Sequence, residues 1–245
     1  MYTLFVKELN SFLSSLIGYM IIIVFLVIIG LFLWVFPTDF NVFDYGVAGI
    51  DGLFMLAPWV FLFLIPAITM KMFAEEKKNG TIELLLTKPI SDLSIILSKY
   101  FAGLALVIFS ILPTLVYIIA IYQLGLPKGN LDLGGIIGSY IGLLFLGGVF
   151  VAIGIFSSSI TNNQIIAFVL AVLISAFTYI GFDIITGLGI FGGADLVIRS
   201  FGINSHYVSM ARGVIDTRDV IYYLSAIVFF ILLTKVSLES RNWKK

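Results

Sequence analysis

Apolar residues run almost unbroken through six stretches of this chain, at about 16–36, 53–72, 99–122, 136–157, 165–186 and 220–236. Crossing about 30 Å of hydrocarbon takes roughly 20 helical residues, and these stretches are close to that length. The pattern predicts an all-α polytopic membrane protein, one transmembrane unit over 1–245 with six spans. Pro58 and Pro66 in the second span and Pro113 in the third predict kinks rather than breaks, because neighbouring helices can satisfy the carbonyls that proline frees. Gly134, Gly135, Gly138, Gly142, Gly147 and Gly148 in and just before the fourth permit close helix approach.

Ahead of the first span, Phe5, Leu9, Phe12, Leu13 and Leu16 recur at helical spacing, with Lys7, Asn10, Ser11 and Ser14 between them. That pattern predicts an amphipathic interfacial helix over about 2–15; the alternative is a plain upstream extension of the span. The connections at 37–52, 123–135 and 187–219 fall on one side of the bundle. The last is glycine-rich, moderately apolar and too short to span twice, so it reads as re-entrant or interfacial short helices before the last span.

The other side carries a charged island. Residues 71–99 hold nine of the 28 formal charges: Lys71, Glu75, Glu76, Lys77, Lys78, Glu83, Lys88, Asp92 and Lys99. Nothing breaks the second span's helix until Asn79-Gly80, glycine being favoured just past a helix end. Thr81 can cap a short new helix, with Glu83 suited to its positive end. Lys88-Pro89 ends it, and Ser91 or Asp92 caps the next. The result is a charged stalk carrying a transverse helix whose Ile82, Leu84, Leu85 and Leu86 are too few to cross a bilayer. It is either a lever offered to a partner's groove or a structured connecting loop.

Composition narrows the function classes. Charged residues make up 11% of the chain and mean hydropathy is +1.14, against about 25% charged in a soluble domain. Zero net charge gives no field for nucleic acid, and the absence of cysteine excludes disulfides, thiolate metal sites and a cysteine nucleophile. The first residues lack a basic segment followed by a cleavage site, so no removed leader is expected. Lysine and arginine number ten on the island's side, from Lys7 to Lys245, against Lys128, Arg199, Arg212 and Arg218 on the other. That asymmetry predicts that both termini and the island are cytoplasmic.

The run Glu75-Glu76-Lys77-Lys78-Asn79-Gly80-Thr81-Ile82-Glu83-Leu84-Leu85-Leu86-Thr87-Lys88-Pro89-Ile90-Ser91, between spans two and three of six, resembles the signature of type 2 ABC-transporter permeases. The resemblance extends over the interfacial helix, the spans and the segment before the last span. Within the family, 81–91 and the stretch from His206-Tyr207 through Ala211-Arg212-Gly213-Val214-Ile215-Asp216 to Arg218-Asp219 are most similar to the gliding-motility permease GldF. Permeases for copper-enzyme maturation and for antibiotic or lipid export share much of the pattern.

The resemblance implies a coupling helix gripped by a cytoplasmic ATPase dimer, with Glu76, Gly80, Thr81, Ile82, Glu83, Leu84, Leu85, Leu86 and Pro89 as coupling residues. It implies a second permease subunit, a GldG-like partner or a second copy, in a bacterial inner membrane. ATP and magnesium would be bound by the ATPase, and the chain itself would carry no cofactor, metal or catalytic activity. No Gly-x-x-x-x-Gly-Lys-Ser/Thr phosphate loop occurs in the sequence. Residues 157–164 can make a second partner contact in the family, or form an ordinary connection.

Two other classes compete. An intramembrane enzyme needs paired catalytic groups at membrane depth, and the spans offer scattered Ser, Thr and Tyr, no histidine and no carboxylate pair at helical spacing. A motor-independent transporter needs midplane charges or matched broken helices. His206, the only histidine, reads as structural. Asp183, near a span end, is either functional or simply reaching water. Arg212, Asp216, Arg218 and Asp219 are expected to pair with one another at the outer interface.

Overall fold

The computed structural model describes residues 1–44, 49–86, 90–190 and 192–240, with the side chains of Ile17 and 84–86 outside that description. Every regular element among them is helical. Five helical stretches are long and apolar enough to cross a membrane, or six if the bent pair Tyr2–Leu13 and Gly18–Trp34 is one span. The chain is thus an all-α polytopic membrane protein.

Helix α1 (Tyr2–Leu13) meets α2 (Leu16–Trp34) at 64°. Ser15 makes the corner, its backbone extended and its hydroxyl accepting from the Gly18 amide. A methyl on Gly18 would stand 2.3 Å from the Phe12 carbonyl oxygen, so only glycine fits where the two helices cross. Because of this turn α1 is no straight extension of the span; it lies against α6 (Asp92–Ile111), burying Leu4 and Phe12.

Between them, α3 (Asp51–Thr69) stays helical through Pro58 and Pro66. A joint at Met70 links it to α4 (Lys71–Lys78), and the two together make one 28-residue span that runs through both prolines without a break, as the sequence predicted. Gly80, at φ +68°, closes α4 and admits α5 (Thr81–Leu86). Ser91 caps α6, as the sequence predicted, and the helix passes through a tight 3₁₀ turn, Leu112–Thr114, at Pro113 into α7 (Leu115–Leu124).

Helix α8 (Leu133–Ile160) is the centre of the bundle. Of its most apolar window 78% is buried, against 28–33% for the spans built on α6, α9 and α13. It packs against α3, α4, α6, α9 (Gln164–Ala176), α12 (Ile203–Ala211) and α13 (Thr217–Glu239). Its small residues let it do so: methyls on Gly147 and Gly154 would lie 2.7 Å from Val107 and 1.9 Å from Thr69. The peripheral helices keep apolar outer faces, as lipid-facing helices must.

The fifth span is not uniform. After α9 it widens into a π-turn, Phe177–Gly181, before α10 (Phe182–Gly187). The glycine-rich segment that follows forms α11 (Asp195–Arg199) and then α12, which docks on α8 and α13.

Candidate functional site

Residues from four parts of the sequence meet at the end of the bundle that carries the charged island. Lys99, the first residue of its expected span, is 2% exposed. Its ammonium lies 2.8 Å from Glu76 Oε1 on α4 and 3.3 Å from Glu8 Oε1 on α1. It also stands 5.1 Å from the centroid of the buried Phe73 ring. One lysine thereby clasps the interfacial helix, the stalk and the base of span three. Glu76, which the family resemblance implies as a coupling residue, is paired with Lys99. The available signal was Lys99's spacing from Ile95, Ile96 and Ala102, all buried, which puts its ammonium on the inner face of α6.

The joint at Met70 is held by a residue 88 positions away. The Ser158 hydroxyl on α8 accepts from the amides of Phe73 and Ala74, each at 3.0 Å, and donates to the Met70 carbonyl at 2.9 Å. A hydroxyl has one donor and two acceptor positions, so this one is fully used. It supplies the partners that an unbroken helix would have supplied from Thr69 and Met70. Lys77 donates to the Ser159 carbonyl, as does Ser237 of α13 at 3.0 Å. Residues 157–159, expected in a polar connection, are instead the buried last turn of α8; the connection proper is 161–163, with Asn163 capping α9.

Replacing Ser158 with alanine leaves two buried amides without partners. The expected cost is roughly 1–3 kcal/mol, read as a lower melting temperature in detergent and faster hydrogen exchange at Phe73 and Ala74. Unchanged protection at those amides would show that packing alone holds the joint.

Beyond the joint, the stalk ends in α5. Thr81 is its first residue and, rather than capping it, reaches back to the Glu76 carbonyl at 3.4 Å. Ile82 is half-buried against the chain's own core, whereas Glu83 is exposed. The backbone of 84–86 continues the helix; the side chains of Leu84, Leu85 and Leu86, and Pro89 with Thr87 and Lys88, lie outside the described residues.

At the opposite end, His206 of α12 contacts Asp219 Oδ1 of α13 through Nδ1 at 2.7 Å and the Ser200 carbonyl through Nε2 at 2.8 Å. Its ring stacks on Tyr222 at 3.9 Å. Asp183 holds Arg199 Nε at 3.0 Å and Asn204 Nδ2 at 2.7 Å, pinning the end of span five to the docked segment. The Tyr207 hydroxyl donates to the Phe54 carbonyl at 2.8 Å, and burial keeps its phenol well above the ordinary value, so it stays a neutral donor.

The expected pairing among Arg212, Asp216, Arg218 and Asp219 is not made. Asp216 caps α13 through the Arg218 amide, and among the described residues neither arginine meets a carboxylate. Asp219 is buried, while Arg218, about 100° round the helix, is exposed. All these contacts are structural brackets. Among the described residues no group of three or more His, Asp or Glu is arranged to hold a metal.

The geometry is that of a helical membrane component with a central buried helix, a stalk clasped at one end and a docked segment at the other. A search of curated proteins returned no match. A family model described as ABC-2 family transporter protein matches residues 2–194, which covers α1 to α10 and stops before the His206 bracket. With that match across most of its length, the chain belongs to the ABC-2 family of transporter proteins and is the membrane component of such a transporter.

Proposed function

We propose that this chain is the permease subunit of an ABC export complex in a bacterial inner membrane, driven through α5 by a separate cytoplasmic ATPase dimer. The observation that carries this is the mounting of α5. It sits at the tip of a stalk that is bonded to α8 through Ser158 and Ser159 and to α1 and α6 through Lys99, with Glu83 exposed. A loop that only connects two spans has no need of such bracing. With no phosphate loop of its own, the chain takes its motor in trans.

In this scheme closure of the nucleotide-bound ATPases pushes on α5, and the stalk passes the push into the bundle. Both termini and 71–99 are cytoplasmic. A second permease, a GldG-like chain or another copy, completes the complex, and ATP and magnesium belong to the ATPase. The wording of 81–91 and 206–219 favours work in gliding motility; copper-enzyme maturation and antibiotic or lipid export use the same architecture.

Leu85→Asp is expected to release the ATPase in a detergent pull-down while leaving the permease in the membrane. ATPase retention at wild-type levels by this variant and by the Leu84→Asp and Leu86→Asp variants would remove the docking site from α5.

A further inference from the structure

Above the Lys99 clasp a polar cleft of about 440 Å³ opens between α1 and α4. Its charges are unevenly satisfied. Lys99 and the exposed Lys7 both approach the same oxygen of Glu8, at 3.3 and 3.7 Å. Glu76 meets Lys99 through Oε1 alone; its Oε2 is shut from water and has no hydrogen-bond partner. A carboxylate oxygen left buried without a donor is costly, more so than a neutral acceptor. On the same wall Lys71 and the exposed Glu75, one turn apart, make no ion pair with each other or with other described residues, and Lys71 lies nearer the apolar α3.

The order of these two groups along α4 carries chemical information. Lys71 opens α4, one residue past the end of the apolar α3, and Glu76 lies five residues further on, about 7.5 Å along the axis. An anion is therefore wanted near the hydrocarbon and a hydrogen-bonding cation further out. Phospholipids with a terminal amine present their groups in that sequence: acyl chains, phosphate, then ammonium. A basic side chain from a protein partner would fill Glu76 but leave Lys71 unanswered. A quaternary ammonium has no N–H to give Oε2.

We propose that this cleft is a headgroup site for a primary-amine phospholipid of the phosphatidylethanolamine type, its phosphate on Lys71 and its ammonium on Glu76, whose carboxylate turns to bring the buried Oε2 into the cleft. The lipid would be a structural ligand wedged between the interfacial helix and the stalk. The site needs only the membrane setting, so its fate is separate from whether an ATPase docks on α5.

The test is native mass spectrometry of the full chain released from nanodiscs of equimolar dioleoyl phosphatidylethanolamine and dioleoyl phosphatidylcholine. Wild type is expected to retain the ethanolamine lipid about tenfold over the choline lipid, the discrimination typical of one charge-assisted hydrogen bond. Glu76→Gln, which keeps the Lys99–Glu8 pair, should bring the ratio to parity. Lys71→Gln should weaken retention of both lipids together, since both carry the phosphate. Parity in the wild type overturns the proposal and leaves Oε2 to a protein partner; so does a preference that survives Glu76→Gln.

Discussion

Lys99→Met should yield a permease that no longer elutes as a single species in mild detergent. The substitution removes the cation shared by two carboxylates and leaves Glu8 and Glu76 facing each other in a largely dry site. Breaking a buried pair by deleting one partner costs roughly 3–5 kcal/mol. With Glu76 keeping 20% of its side chain exposed, the lower end of that range applies. The contact with Phe73 is lost as well. The decisive comparison is a triple variant, Glu8→Gln, Lys99→Met and Glu76→Gln, with no charge left to strand. It is expected to recover most or all of the wild-type melting temperature. If the single variant were as stable as wild type, the clasp would be a surface pair of little consequence.

Gly138→Ala is expected to be nearly as damaging, by a different route. A methyl there would sit 2.3 Å from the Met210 carbonyl oxygen and 3.0 Å from the Gly213 Cα. Both are backbone atoms, so no side-chain rotation relieves the clash; α12 has to lift from α8. Overpacking of this kind costs about 1–3 kcal/mol, and here the strain also pulls on the Tyr207 and His206 contacts that tie α12 down. The wild type has no cysteine, so a single cysteine at Ser209 can report the lift through its rate of thiol labelling. Gly187→Ala, which meets nothing within 4 Å, is the matched control and should label at the parent rate. Equal rates for the two variants would mean that α12 is not seated as described.

The spans were readable because hydrocarbon thickness fixes their length, and Gly80 and Ser91 because each answers a local backbone need. What depended on residues meeting from a distance was not readable. The joint at Met70 is one such case: the amides of Phe73 and Ala74 are satisfied by Ser158, 85 and 84 positions away, and no local signal marks that meeting. The four charges at 212–219 looked like mutual partners because they are close in sequence. One helical step separates Arg218 from Asp219 and sends them to opposite environments, and Asp219 finds His206 instead. Within the candidate site, the pairing of Glu76 with Lys99 was not readable, because the two residues lie 23 positions apart on different helices.

One geometric property of α8 links the two ends of the molecule. Its 28 residues make an uninterrupted rod of about 42 Å. Near its last turn Ser158 and Ser159 hold the stalk; near its first turns Gly138 and Gly142 touch α12. The neighbouring fifth span contains a π-turn and the third a 3₁₀ turn, so each has a place to flex along its length. α8 contains no such turn. A tilt or axial slip imposed where the stalk grips it would therefore be carried by one uninterrupted helix to the seat of α12.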